Sequence, residues 1–193
     1  IDAAQVAPIA CITAPEKRCG KTQLLNLIGE LCRDPMPASN ITAAALFRSI
    51  ELWKPTLLID EADTFTKDNE ELRGVINAGH TRKGAYVIRT VGDDHTPARF
   101  NVWGAKAISG IGHLPETIRD RSILLELRRK EPHEKRQRLR HADKDQWQRI
   151  KQQLYRWSTD HMGTLAQARP ELPEALNDRE QDNWEPLLAI ADC

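Results

Sequence analysis

The sequence predicts an α/β fold in which a mostly parallel sheet is followed by a small helical part. A short apolar run at residues 7–13 passes through a loop into an amphipathic run at residues 24–31. A second apolar run, residues 56–59, ends in two acidic residues, and beyond residue 130 the apolar residues recur at helical spacing. Short apolar runs alternating with amphipathic ones are typical of a parallel sheet that helices cover.

The loop between the first two runs has the form of a phosphate-binding P-loop. Residues 15–22 read Pro-Glu-Lys-Arg-Cys-Gly-Lys-Thr and lie between a predicted strand and a predicted helix, as this motif requires. Backbone N–H groups of such a loop, and the positive end of the helix, converge on phosphates. We expect Lys21 to reach the β- and γ-phosphates and the Thr22 hydroxyl to bind Mg²⁺. The expected phosphate-site residues are Lys17, Arg18, Cys19, Gly20, Lys21, Thr22 and Gln23.

Pro15 departs from the usual motif, which has glycine at this position, five residues before Gly20. Proline fixes φ and has no N–H, so its amide cannot join the phosphate cradle. The amides from about residue 17 to residue 22 stay available. The alternative interpretation of Gly20, Lys21 and Thr22 is an ordinary helix start, with the glycine near the cap.

The second apolar run predicts a metal-binding and water-activating edge. Residues 56–59 follow Pro55 and precede Asp60 and Glu61, which indicates a buried parallel strand with carboxylates at its C-terminal end. Open α/β sheets bind ligands at that edge. We expect Asp60 to bind Mg²⁺ and Glu61 to orient and deprotonate an attacking water. The alternative is that the acids up to Asp63 only cap the next helix.

Turn and cap signals predict the elements around this strand. Residues 34–37 end the first helix and open an extended segment, and a helix over residues 42–52 is capped by Asn40 or Thr42. A further helix over residues 68–78 ends at Gly79.

A β-hairpin and one more strand complete the predicted α/β part. Two β-rich runs, residues 85–91 and 98–103, surround a turn-rich hexapeptide, which predicts a hairpin inserted into the fold. Residues 106–109 predict a short buried strand that ends at Ser109.

A change of composition divides the chain into a core at residues 1–130 and a helical part at residues 131–193. Asp178 is expected to cap a last helix over residues 179–191. One helix face in this part is predicted to be core rather than a base-stacking surface, and its residues are Trp147, Ile150, Leu154 and Trp157.

Composition excludes several classes of protein. The chain has 28 basic and 28 acidic residues, so no global field directs it to nucleic acid or to a membrane surface. A basic stretch, residues 128–156, is interpreted as solvated helix surface, with a nucleic-acid surface as the alternative. The four cysteines form no C-x-x-C pair, which predicts the reducing cytoplasm. No apolar run approaches the length of a membrane span, no signal peptide is visible, and the missing initial Met suggests a piece of a longer protein.

In this order, the parts resemble a module of the AAA+ ring ATPases. A closer resemblance is to a domain of unknown function at the C-terminal end of primase–helicase proteins of phages, plasmids and integrative elements. It covers nearly the whole chain, from about residue 8 to residue 192, and is carried by residues 15–22, 57–63, 111–123 and 178–192.

That resemblance implies an AAA+-like P-loop fold with a helical lid, which hydrolyses ATP with Mg²⁺ and water in a homo-oligomeric ring such as a hexamer. It implies Ser109 as the polar residue that helps to hold the attacking water or the γ-phosphate. It implies Arg121 as an arginine finger that acts in the neighbouring subunit's site, with Arg119 as second candidate. Arg179 corresponds to the lid arginine that contacts the γ-phosphate.

The implied object of this motor is DNA, in the replication of a mobile element, with a primase domain or protein as a further partner and no membrane. The alternatives are an ATPase that remodels or loads a protein, and an ATP-dependent assembly module without catalysis. DNA-contact candidates in the hairpin region, for which a plain exposed hairpin is the favoured interpretation, are Arg82, Lys83, Arg89 and Arg99.

Overall fold

Five parallel strands form the central sheet of the computed structural model, which describes residues 2–63, 69–112, 114–136 and 138–193. The strands of this sheet are β1 (Ile9–Ala14), β2 (Pro35–Ala38), β3 (Thr56–Ile59), β6 (Lys106–Ile111) and β7 (Ser122–Glu126). Their order is β2-β3-β6-β1-β7, and every neighbouring pair is parallel. The predicted α/β class with a parallel sheet is therefore confirmed.

The remaining two strands, β4 (Tyr86–Val91) and β5 (Thr96–Asn101), form a separate antiparallel hairpin. The predicted hairpin insertion is confirmed, with a turn that is shorter than the predicted hexapeptide because Thr96 and Pro97 already pair with Val91 and Thr90. Strand β6 runs to Ile111, two residues beyond its predicted end at Ser109. Ser109 thus lies inside a strand, where it pairs with Ile12 of β1.

Helices cover the sheet and form the C-terminal part. They are α1 (Lys21–Leu31), α2 (Ala43–Trp53), α3 (Glu70–Ala78), α4 (Glu116–Arg119), α5 (Lys144–Asp160), α6 (Met162–Gln167) and α7 (Asp178–Ala191). Thr42 caps α2 by accepting from the Ala45 amide at 3.2 Å. Of the two predicted caps, Asn40 and Thr42, Thr42 is therefore the one that the structure shows. The predicted start of the helix that ends at Gly79 lies outside the described residues.

The cap predicted for the last helix is wrong by one residue. Asn177 caps α7 by accepting from the Glu180 amide at 3.0 Å, and the Glu180 carboxylate accepts from the Asn177 amide at 3.0 Å. This is a capping box, in which two end amides are satisfied reciprocally. Asp178 is consequently the first residue of the helix rather than its cap.

Two apolar layers cover the two faces of the sheet. Leu57 and Ile59 of β3 belong to the larger cluster with α2 and α3, whereas Leu58 belongs to a smaller cluster with Leu25 of α1. This division follows from the alternation of side chains along a strand. Glycine at position 29 of α1 allows close contact with β3, since a Cβ there would meet the Leu58 side chain at 2.8 Å.

The predicted core face of α5 is wrong in part. Trp147, Ile150 and Trp157 are half-buried and Leu154 is 48% exposed, so no residue of α5 is fully buried. The helix packs against α1 and α6. These neighbours cover part of its apolar face and leave the rest at the surface. No helix in the described ranges combines the length and the apolar character needed to cross a bilayer.

Lys106, at the start of β6, is a buried lysine held by carbonyl groups. Its Nζ donates to the Gly79 and Gly104 carbonyls at 2.8 and 2.7 Å. Burial disfavours the charged form and lowers the pKa of Lys106 to about 7. Both hydrogen bonds survive deprotonation, because a neutral amine still has two N–H donors.

This lysine makes stability depend on pH in the alkaline range. The folded pKa lies below the unfolded value of about 10.4, so the unfolded chain binds the extra proton between pH 7 and pH 10. We expect the free energy of unfolding, relative to that of Lys106→Met, to rise from pH 7 to pH 9.5. Urea unfolding of both proteins across this range tests the expectation, and parallel pH profiles would contradict it.

Candidate functional site

The carboxyl edge of the sheet gathers hydroxyl groups around Asp60. The Thr22 hydroxyl, in the first turn of α1, donates to Asp60 Oδ2 at 2.8 Å. The Ser109 hydroxyl donates to Asp60 Oδ1, and the Glu61 amide donates to the same oxygen at 3.0 Å. The parallel register explains the meeting of strands β3 and β6: Ile59 pairs with Ile108, so the next residues, Asp60 and Ser109, lie side by side.

The loop before α1 lies at the same edge. Gly20 is the N-cap of α1 with φ of +89°, a left-handed conformation that glycine adopts without a Cβ penalty. A Cβ there would meet nothing within 4 Å, so the backbone angle, not crowding, requires glycine. Because this cap has no side chain, it leaves the first amides of α1 open to an anion. The Lys21 ammonium donates to the Glu16 carbonyl at 3.1 Å, across the loop.

Glu61 presents an exposed carboxylate from a strained backbone position. Its φ is +54°, a region that non-glycine residues rarely adopt and that costs about 1 kcal/mol. Asp63, two residues further on, bonds to β6, because its Oδ1 accepts from the Ile111 amide at 3.1 Å. Left-handed residues held by their surroundings concentrate at functional sites.

The oxygen atoms around Asp60 fit a magnesium ion that is shared with a phosphate ligand. The Thr22 hydroxyl and the Asp60 carboxylate are hard oxygen donors already within hydrogen-bonding distance of each other. Among the described residues, no group of three or more His, Cys, Asp or Glu could hold a metal by itself. Mg²⁺ commonly takes one or two protein ligands and completes its shell with water and phosphate oxygens, so Thr22 and Asp60 are sufficient ligands for it.

The two predicted arginines lie together at the opposite, amino edge of the sheet. The Arg121 carbonyl accepts from the amide of Ile9, the first residue of β1, at 2.9 Å. Arg121 and Arg179 line one pocket of about 210 Å³, together with Asn77, His80, Thr81 and Asp182. Burial, and then the nearby Arg179 charge, lower the pKa of Arg121. The structure therefore does not bring Arg179 to the Thr22–Asp60 cluster of its own chain.

A buried hydrogen-bond chain that sequence reasoning missed fixes α7 to the sheet. His80 and Asn183 are each 2% exposed, and His80 Nε2 donates to Asn183 Oδ1 at 2.7 Å. Asn183 Nδ2 donates to the Asp120 carbonyl at 2.8 Å. Burial lowers the pKa of His80. The lower pKa favours the neutral imidazole, which donates from Nε2 to Asn183 in this hydrogen-bond chain. An asparagine amid polar helix residues gives no local signal of burial.

Three of the four basic candidates for DNA contact interact within the chain. Arg89 pairs with Glu71 at 3.0 Å, Arg99 lies over the Tyr86 ring at 4.8 Å, and Arg82 donates to the Asp2 carbonyl. The fourth candidate, Lys83, is exposed. These contacts fit the exposed-hairpin interpretation.

The basic stretch after β7 begins beside the loop. Glu134 accepts from Arg128 at 2.6 Å and from Arg136 at 3.0 Å. The Arg128 hydrogen bond first, and then the hydrogen bond from the Glu131 amide, lower the pKa of Glu134 to about 2. Arg129 pairs with Glu16 of the loop at 3.7 Å.

A known family matches the C-terminal part of the chain. Residues 126–193 match the model of a family described as a protein of unknown function (DUF3631). The match includes Arg179 and leaves the loop, Asp60 and Arg121 outside it. No curated protein matches the chain.

Proposed function

We propose that this chain is a Mg²⁺-dependent ATPase of the AAA+-like P-loop class that works as a ring of identical subunits. The observation that carries the proposal is the meeting of Thr22 and Ser109 on the Asp60 carboxylate, at the sheet edge that also bears the Gly20 loop. A helix-start hydroxyl next to a strand-end aspartate is what a metal–phosphate site requires. The ordinary helix-start interpretation of the loop gives no reason for this meeting.

The sheet supports the same proposal. Strand β1, which leads into the loop, lies between β6, which carries Ser109, and β7, which follows Arg121. This order is compatible with the implied AAA+-like core, and residues 131–193 would then be its helical lid.

In this proposal the residues of the site divide the work on ATP. Lys21 and the loop amides hold the phosphates, and Thr22 and Asp60 would hold Mg²⁺. The bound ion would supply positive charge against the phosphate oxygens. Glu61 accepts the proton of the attacking water, Ser109 helps to orient that water or the γ-phosphate, and Arg121 of a neighbouring copy stabilises the transition-state charge.

The object of the motor in this proposal is DNA. The reason is the resemblance of four segments to the C-terminal domain of primase–helicase proteins, which is an analogy of sequence and not a contact. A protein object, or an assembly role without turnover, is distinguished from it by the experiment that follows.

The test measures ATP turnover per subunit against protein concentration, with and without single-stranded DNA. Turnover is expected to rise with concentration, since each site needs a neighbour's arginine, and to rise again with DNA. Lys21→Ala is expected to abolish it, and Lys144→Ala, at an exposed lysine that begins α5 and lies outside the loop, serves as the control. Turnover per subunit that does not change with protein concentration would contradict sites shared between subunits. Turnover that does not change with DNA would favour a protein as the object of the motor.

A further inference from the structure

We propose that Arg121 and Arg179 form one phosphate clamp, which receives the terminal phosphate of ATP bound to a neighbouring copy of this chain. The inference rests on the proposed function and changes one of its parts. Arg179, on the C-terminal helical part, would serve the neighbour's site rather than its own.

Unbalanced charge in the amino-edge pocket points to an anionic ligand. Arg121 and Arg179 both line the pocket, and within the described part of the chain neither forms an ion pair. Arg121 Nη1 donates to the Thr117 carbonyl at 2.7 Å, a neutral partner. Asp182 also lines the pocket, so two guanidinium groups and one carboxylate leave a net positive charge. Paired guanidinium groups match the oxygen pattern of a phosphate.

Distance excludes the chain's own nucleotide as that ligand. Arg121 is hydrogen-bonded to Ile9 at the start of β1, and the loop follows the other end of this strand at Ala14. Five strand steps of ~3.3 Å separate these ends by about 17 Å, which is longer than an extended arginine side chain. A phosphate that meets both arginines and also lies in a Gly20 loop must therefore be bound to another copy.

The buried link from α7 to the sheet holds the two arginines together. Arg179 lies one turn before Asn183 on α7, and Asn183 bonds both to His80 and to the carbonyl of Asp120, the residue before Arg121. Thr81 adds an exposed hydroxyl to the same pocket. These two hydrogen bonds connect the helix that carries Arg179 to the residue before Arg121, as a preformed anion site needs.

Mixing inactive variants tests the assignment. The variants are Lys21→Ala, which loses the loop lysine, and Arg121→Gln and Arg179→Gln, which keep most of the side-chain stem. We expect each arginine variant alone to lose at least about 10-fold in turnover. Mixing Lys21→Ala with Arg179→Gln is expected to restore activity, because roughly a quarter of the interfaces in a random mixture combine an intact loop with an intact clamp.

The mixture of Arg121→Gln with Arg179→Gln is the decisive comparison. No interface in it has both arginines on one subunit, so the clamp predicts no recovery. If Arg179 instead serves its own subunit, ATP turnover recovers in this mixture. It then does not recover in the mixture of Lys21→Ala with Arg179→Gln. That pair of results would overturn the inference. Recovery of Lys21→Ala with Arg121→Gln shows separately that shared sites exist, so the proposed function can stand while the clamp fails.

Self-association gives a readout that does not depend on turnover. With ADP and aluminium fluoride, which imitate the transferring phosphate, wild type is expected to assemble in analytical ultracentrifugation, and Arg121→Gln/Arg179→Gln is expected to stay smaller. Arg138→Gln, an exposed arginine away from the pocket, serves as control. Equal assembly of wild type and the double variant would overturn the clamp, and circular dichroism shows whether each variant is folded.

Discussion

Glu61→Gln is expected to lower the turnover number for ATP by at least about 100-fold, because a positioned general base contributes about 10²–10⁴ in rate. Glutamine keeps the size and the carbonyl oxygen of the side chain but cannot accept the proton of the attacking water at neutral pH. Binding of ATP is expected to stay close to that of wild type, since Lys21, Thr22 and the loop amides are unchanged.

The structure indicates that Glu61→Gln removes the carboxylate without disturbing the surrounding contacts. The Glu61 side chain is exposed, and the hydrogen bond that this residue gives to Asp60 comes from its backbone amide, which glutamine retains. The left-handed φ of +54° is as costly for glutamine as for glutamate, so stability is expected to change little. Glu30→Gln, on an exposed position of α1, controls for the loss of one surface charge.

Two measurements separate catalysis from binding. A coupled assay gives the turnover number, and the fluorescence of a labelled ATP analogue gives the dissociation constant. Unchanged turnover in Glu61→Gln would remove this residue as the base. Loss of binding together with turnover would show that Glu61 holds the nucleotide rather than the water.

The carboxyl-edge residues were predictable because their signals are local. A strand, a Gly-Lys-Thr loop and a helix follow one another within residues 9–31, and the acids come directly after β3. Such patterns fix both the element and the end of it that carries the chemistry. The contact of Ser109 with Asp60 depends on the pairing of β3 with β6, whose paired residues Ile59 and Ile108 lie 49 positions apart in the sequence. The pattern predicts that Ser109 ends a strand, and the resemblance alone gives this residue a role.

The contacts at the amino edge of the sheet could not be predicted from local sequence patterns. His80 and Asn183 are 103 residues apart, and each lies in a stretch that reads as a polar helix end or a polar helix face. The helical period of α5 was predicted correctly, but a period shows which face is apolar and not whether another element covers it. The cap of α7 was readable from Asn177 and Glu180, and the neighbouring Asp178, itself a good cap residue, obscured it.

Gly79→Ala is expected to destabilise the fold by about 3 kcal/mol or more, the range of severe overpacking. Gly79 ends α3, and its φ of −79° suits any residue, so the reason is space and not backbone freedom. A Cβ there would overlap the Val102 carbonyl oxygen and would lie 2.5 Å from Lys106 Nζ. The carbonyl belongs to backbone that is hydrogen-bonded to Ala85, so it cannot move away cheaply.

Gly74→Ala in the same helix is the matched control, because a Cβ at that position meets nothing within 4 Å. It is expected to stabilise the protein by about 0.5–1 kcal/mol, the gain in helix propensity of alanine over glycine. Urea unfolding of wild type and both variants gives the three free energies, and an equal effect of the two substitutions would contradict close packing at Gly79.

The same substitution is expected to disturb the Arg121–Arg179 pocket. His80, which lines this pocket, directly follows Gly79, and Lys106 donates to the Gly79 carbonyl, so any shift that relieves the overlap also moves the base of the pocket. In Gly79→Ala molecules that stay folded, assembly with ADP and aluminium fluoride is therefore expected to weaken more than ATP binding at the loop.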